Sequence, residues 1–323
     1  MHFSRRRIVF IHCLALAAVA WASAPAGPSA GITLTNAEVE IGIQPAHGLI
    51  LGFGRRSQEN LLWVNPHPLS SARHSEWINY GGDKLWWGPF VDWLKVKGRY
   101  FPPDEVLDEP WEVKIHEPAR VVMRSGVSRW TGSRAEREII LEDGAAGVVI
   151  HNRFIRHDNN PQRLQLWTVS QIQPPLWVWL DRRPNPGEPG FVNLRPGLWD
   201  PAPHVRDEPE LGCVRGLPSP EGNYMIGTRG AWLAAVYEKF ILVQQVDPYP
   251  EGDYPENVSL QLFSDGAYVE LETLGGVANP GPGETMQNTV RWRLLDRPPG
   301  LDDDALNRWL RAQLPLGDLP GSG

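Results

Sequence analysis

The sequence predicts an all-β fold, and three observations carry that prediction. Short stretches alternate apolar and polar residues with period two, tight-turn residues separate them at short intervals, and a helical pattern is confined to the tail. Pro and Gly number 31 and 32 in 323 residues, high for a helical chain and suited to many strands joined by tight turns. Such spacing argues for a sandwich or barrel rather than βαβ units.

The strands follow one another along the chain. "ITLTNAEVEIGI" alternates through Val39, Ile41 and Ile43, and "PAHGLILGFG" turns into a second strand. "WEVKIHEPARVVMRSG", "REIILEDGAAGVVIHNRFIRH", "RLQLWTVSQI", "WLAAVYEKFILVQQVD", "VSLQLFSDGAYVELETL" and "TMQNTVRWRLL" continue the pattern. Two Pro-, Gly- and acid-rich segments, Asp181 to Asn223 and Asp247 to Glu256, are too long for simple hairpin turns. In "GLDDDALNRWLRAQL" acids fill a first helical turn, while Leu306, Trp309 and Leu310 share one face. With no composition shift and no solenoid or propeller repeat, the chain reads as one β-domain over residues 31–298 and a helical tail over 299–323.

The first residues have the layout of a secretory signal. Arg5, Arg6 and Arg7 precede an apolar run, Ile8 to Trp21, that is too short to span a bilayer comfortably, and small residues follow. Cleavage after Ala26 or Ala30 is expected. "SRRRIV" is loosely similar to a twin-arginine signal, which leaves the route open between Sec and twin-arginine export, and the destination is periplasmic or secreted. Phe10-Ile11-His12 is not a lipobox before Cys13.

Removing this segment takes away Cys13 and leaves Cys213 alone, so no intrachain disulfide forms and stability rests on a hydrophobic core. Loss of its three arginines moves the net charge from -7 to about -10. The mature part carries no Lys/Arg run, which argues against nucleic acid or an anionic membrane as partner.

The opening "VEIGIQPAHGLILGFGRRSQENLLW" resembles the start of galactose mutarotase-like domains: a strand, a P-x-x-G turn, a second strand, then a polar turn before "NLLW". The end agrees, with "AYVELETLGG", "PGET" and a last strand "TVRWRLL". "GGDKLWWGP" and "QLWTVSQI" look like landmarks of an uncharacterised branch found in secreted bacterial proteins. The resemblance spans nearly all of the mature chain. It implies an all-β, single-domain antiparallel β-supersandwich with a short C-terminal helix, whose concave face binds a mono- or oligosaccharide.

Aldose 1-epimerases of this superfamily use a Glu as base on the anomeric hydroxyl and a His as acid on the ring oxygen. "LET" at Leu271-Glu272-Thr273 is similar to the stretch that holds the family's Glu. Period two then places Tyr268, Glu270 and Glu272 on one face of the strand and Val269 and Leu271 on the other. The region corresponding to the general-acid motif reads "NPQRLQLWTVSQI" and has no His. His151 and His157, on the preceding strand, are the remaining imidazole candidates, with His151 the catalytic one. Trp167 is a sugar-stacking candidate beside Gln171. Glu270 and Glu272 also allow an acid–base pair for glycoside cleavage, although such pairs normally come from different strands.

"NYGGDKLWWGPFVDW", Asn79 to Trp93, reads as a loop on the approach to that face. Gly81 and Gly82 permit a turn closed to bulkier residues, and Asn79, Asp83 and Lys84 offer polar contacts. Trp86 and Trp87 point to opposite faces when extended, so at most one is a sugar platform; Trp86 is the candidate. Nucleophile-elbow, phosphate-loop, dinucleotide and zinc-protease motifs are missing, so no cofactor and no resident metal are expected. The acidic residues Asp247, Glu251, Asp253 and Glu256 offer oxygen ligands to Ca²⁺ but lack an EF-hand rhythm, and His67 and His74 precede the Asn79 stretch in a loop. Two functions follow as expectations: an exported mutarotase-like sugar-binding protein that interconverts anomers, or a non-catalytic glycan- or partner-binding sandwich without the acid His.

Overall fold

The computed structural model describes residues 31–68, 77–99, 104–182, 190–220, 223–247 and 252–314. The segment read as an export signal and His74 lie outside these residues, as do Glu251 and the side chain of Asp247. Two antiparallel sheets make up the fold, with strands numbered along the chain. The first sheet runs β1 (Ile32–Thr35), β2 (Val39–Gln44), β3 (Leu49–Arg55), β4 (Asp83–Gly88), β9 (Gln165–Ile172), β18 (Val269–Leu274), β17 (Leu260–Ser264), β14 (Tyr224–Thr228) and β11 (Val192–Asn193). The second runs β12 (Val205–Glu208), β13 (Cys213–Gly216), β10 (Trp177–Asp181), β15 (Trp232–Val236), β16 (Phe240–Asp247), β19 (Thr285–Asp296), β8 (Gly147–Arg156), β7 (Ser133–Leu141), β6 (Arg120–Val127) and β5 (Glu112–Glu117). This is the predicted two-layer antiparallel architecture.

The inner faces of the sheets meet in one apolar core, with Phe53 of β3 edge-on to Trp292 of β19 at 5.3 Å between ring centres. A polar chain crosses this core. Asp83 of β4 pairs with Arg137 of β7, and Arg137 Nε donates to Asn152 Oδ1 of β8 at 3.0 Å. Ser170 Oγ of β9 donates to Asp83 Oδ2 at 2.7 Å and accepts from Gln244 Nε2 of β16 at 2.8 Å. Burying charge in a sandwich core is tolerable because each charged group meets an opposite charge or a dipole.

Among the described residues the α-helices α1 (Phe90–Lys97), α2 (Glu105–Asp108) and α3 (Asp303–Gln313) add to the sheets. The tail helix is the one the sequence predicts. Its Asp302 cap accepts from Ala305 N at 2.8 Å, and Leu306, Leu310 and Leu314 pack on Trp177, Trp179 and Trp232 on the outer face of the second sheet. Cys213 lies beneath it, accepting from Asn307 Nδ2 at 3.4 Å; burial and the nearby Glu208 carboxyl push its thiol up to about 12. The thiol packs there as a small hydrophobe.

Elsewhere the structure departs from the sequence reading. The stretch Asn79 to Trp93 is not a loop: it holds strand β4 and the start of α1. Pro89 sets the extended entry to α1, Asp92 sits in its first turn, Lys95 and Lys97 in its last, and Gly98 closes it at φ 70°. The segment from Asp181 to Asn223, read as a long interruption, contributes β11, β12 and β13.

Candidate functional site

Three adjacent strands of the first sheet build the site. In β4 the alternation sends Asp83, Leu85 and Trp87 inward and Lys84 and Trp86 outward, as the Asp83–Arg137 contact fixes. Gly81 and Gly82 lead into the strand at φ 85° and 68°, and a Cβ on Gly82 would lie 2.2 Å from the Ile50 carbonyl oxygen. Register then aligns the outward row: Lys84 opposite Val169 of β9, Val169 opposite Glu272 of β18, and Glu272 opposite Gln261 of β17. One step along, Gln171 lies opposite Glu270, which lies opposite Phe263. Val269 and Leu271 turn into the core, so the predicted split of this strand into two faces matches the structure.

The two glutamates meet on this face. Trp167 Nε1 donates to Glu272 Oε2 at 2.6 Å, Gln171 Nε2 donates to Glu270 Oε1 at 2.7 Å, and the two carboxyl groups lie within hydrogen-bond reach of each other. Burial, then the neighbouring Glu270 carboxyl, holds Glu272 well above the usual carboxylate range. Glu270 is also raised, chiefly by burial, with Lys84 opposing.

Lys84 is 4% exposed. Its Nζ sits 5.5 Å from both the Trp77 and Trp86 ring centres and donates to Asn79 Oδ1 at 3.3 Å. Burial lowers its pKa, while Glu270 and Asp108 act in the opposite direction. Tyr268 sits at the same end, tilted against Trp63 at 4.6 Å and hydrogen-bonded towards Asn79; burial and Glu270 raise its phenol. Asn79, Lys84, Gln171, Tyr268, Glu270 and Glu272 therefore gather on the outer face of the first sheet.

Aromatic rings close the other end. Trp86 and Trp167 are each 6% exposed, edge-on to one another at 5.5 Å, and α1 lays Phe90 and Trp93 over them. Neither tryptophan presents an open platform to a sugar; both are packed beneath α1.

Two of the sequence-predicted site residues lie elsewhere. Asp83 faces the core and pairs with Arg137, because strand alternation separates it from Lys84. His151 belongs to β8 of the second sheet, on the outer face that alternation sets against the buried Ile150 and Asn152; its Nδ1 lies 2.8 Å from Thr289 Oγ1. The sandwich thus separates it from the glutamates. Among the described residues no group of three or more His, Cys, Asp or Glu is placed to hold a metal ion.

The structure also brings in groups that the sequence reading missed. Gln261 joins the row beside Glu272, a position that the period-two pattern of "VSLQLF" allows but does not single out. Arg195 lies over the Phe90 ring at 5.2 Å and near enough to Glu272 to favour its ionised form. At the rim, His47 stacks on Tyr80 at 4.3 Å with Nδ1 3.1 Å from the Asp108 carbonyl, and burial pushes the Asp108 carboxyl up to about 7. Asp104, buried against Trp87 Nε1 and Ser128 Oγ, is pushed up to about 6.

These raised carboxyls fix the sign of a pH effect. Their folded pKa values exceed the ordinary Asp value of 3.8, so folding binds protons that the unfolded chain releases. Their contribution is complete below pH 3.8 and is lost as pH rises through about 6 to 7. His151 and Lys84, held low by burial, act oppositely, and so does Lys97, whose window opens above about 8. The melting temperature should therefore fall between pH 4.5 and 7.5, and Asp104→Asn should flatten the slope; a midpoint that rises over this range in thermal melts contradicts the assignment.

No family model and no curated protein sequence matches the chain. Solved structures do. A galactose mutarotase related enzyme from Lactobacillus acidophilus superposes with a TM-score of 0.55 at 11% identity, covering 82% of this chain and 97% of that one. A galactose mutarotase-like protein from Lactobacillus casei gives 0.53 at 11%, covering 82% and 99%. A TPR-domain containing protein from Parabacteroides distasonis gives 0.52 at 13%, covering 90% of this chain and 49% of that one. At such identities the likeness defines the fold, and the fold is galactose mutarotase-like.

Proposed function

We propose that this chain is an exported protein that binds a reducing sugar on the outer face of the first sheet and interconverts its anomers. One observation carries the reading. Gln171 Oε1 and Gln261 Oε1 are buried acceptors with no donor from the protein, and strand register sets them opposite Glu270 and Glu272. Unpaired buried acceptors are costly, and a polyol supplies hydroxyl donors to several at once. Lys84 and Asn79 add a donor and an amide at the same face. The names of the Lactobacillus proteins with this fold agree with a sugar as ligand.

Calorimetry with a panel of aldoses and short oligosaccharides tests the binding. Gln171→Ala and Gln261→Ala should each weaken it about tenfold, the cost of one hydrogen bond to a buried group, while His151→Ala leaves it unchanged. No heat across the panel sinks the reading. The position of His151 on the far sheet favours a second reading, binding without turnover. Polarimetry of fresh α-D-glucose and α-D-galactose separates the two, because a pure binder leaves mutarotation at its buffer rate.

A further inference from the structure

We propose that Glu270 and Glu272 act together as both the acid and the base of anomer interconversion, so that the site works from one side of the sugar and needs no histidine. This rests on the sugar-binding reading of that face. The geometry points to it in three ways. The residues are next-nearest neighbours on β18, so alternation aims both at the same face. Their carboxyl groups are in hydrogen-bond reach, and each has one oxygen fixed by a different donor, Trp167 for Glu272 and Gln171 for Glu270. Glu272 Oε1 has no donor from the other protein side chains, and Glu272 is 1% exposed, whereas Glu270 is half-buried. Two carboxyls so close retain one proton between them over a broad pH range, because two adjacent negative charges repel.

A pair that holds one proton has what ring opening requires. The ionised Glu270 takes the proton from the anomeric hydroxyl O1. The protonated Glu272 gives its proton to the ring oxygen O5. The C1–O5 bond breaks with its electron pair going to O5, and the electrons of the O1–H bond form the C1=O1 double bond. Rotation about C1–C2 follows. Closure reverses both transfers on the other face of the carbonyl: Glu270 returns a proton to O1 and Glu272 regains one from O5. Nothing is consumed. O1 and O5 are bonded to the same carbon, so the two transfers occur side by side, and neighbouring carboxyls span them. The substrate class is an aldopyranose with a free anomeric hydroxyl.

The charged and titratable groups facing the pair are Lys84 from β4, Arg195 from the segment after β11, and Asp265 and Tyr268 before β18, with Asp108 from α2 acting on Lys84. None of them shares the pair's proton, so the rate should be bell-shaped in pH: it falls when both carboxyls are protonated and again when both are ionised.

The experiment measures mutarotation of fresh α-D-glucose and α-D-galactose by polarimetry, and binding of the same sugars by calorimetry, on the full mature chain. Glu272→Gln and Glu270→Gln keep side-chain shape and a folded near-ultraviolet spectrum. Each is expected to lose at least about 100-fold of the acceleration, as removal of an acid–base group does, with affinity changed less than about threefold. Glu272→Gln that keeps most of the rate, or a wild type that binds but does not accelerate, overturns the dyad and leaves binding standing. A wild type that neither binds nor accelerates overturns the sugar-binding reading and the dyad with it. A wild-type profile with one limb in place of a bell also overturns the shared proton.

Discussion

Asp83→Ala is expected to destabilise the fold by about 3–5 kcal/mol, the usual cost of removing one partner from a buried ion pair. Arg137 is fully enclosed and would keep its charge with Asn152 as its remaining side-chain partner. Ser170 Oγ would lose its acceptor at the same time. Replacing both charged residues, as in Asp83→Leu with Arg137→Met, should restore most of the loss, since apolar packing removes the unpaired charge. Urea unfolding measures both variants. A single mutant within about 1 kcal/mol of wild type would mean that Arg137 finds another partner or water. The position also bears on the site. Asp83 is the inward neighbour of Lys84, so the ion pair holds β4 in the register that keeps Lys84 outward.

Trp93→Ala is expected to cost about 3–5 kcal/mol as well, by a different mechanism: a cavity at the centre of an aromatic cluster. Trp93 is fully buried, lies 5.6 Å from Trp86 and 5.5 Å from Trp167, and donates from Nε1 to the Trp87 carbonyl at 2.7 Å. It is the main anchor of α1 over the first sheet. Trp93→Phe keeps most of the volume and should cost about 1–2 kcal/mol, with the lost hydrogen bond as its larger share. Because Trp167 also holds Glu272, loosening α1 should raise the exposure of the glutamate pair; faster tryptophan quenching by acrylamide in Trp93→Ala would register it. Equal stability of the two variants would show that the indole ring is not what holds α1 down.

Much of the fold is legible in the sequence because strand alternation is local. The split of Tyr268-Val269-Glu270-Leu271-Glu272 into two faces needs only the period of the pleat, and the structure has it. The acids and leucines of the tail helix are equally local signals. Strand β4 and α1 were not legible. Their residues, "DKLWWGPFVDWLKVK", set five charged residues among apolar ones without a clean alternation or helical stripe, so neither period stands out, and Pro89 makes the whole read as a turn. Asp83 and His151 were misplaced for a related reason. Each has the right chemistry, but which sheet and which face it joins depends on partners far along the chain: Arg137 for one and Thr289 for the other. Asp108 gives no sequence signal, since its raised pKa comes from tertiary burial.

The docking of α3 onto the second sheet has a chemical counterpart. Asn307 and the leucines of the helix shut Cys213 away, so a reagent meets the sulfur when the helix lifts. The alkylation rate of that one sulfur, set against the rate of a free thiolate, reports the helix's local opening constant. Cys213, the one cysteine among the described residues, is thus a gauge of how firmly α3 is held.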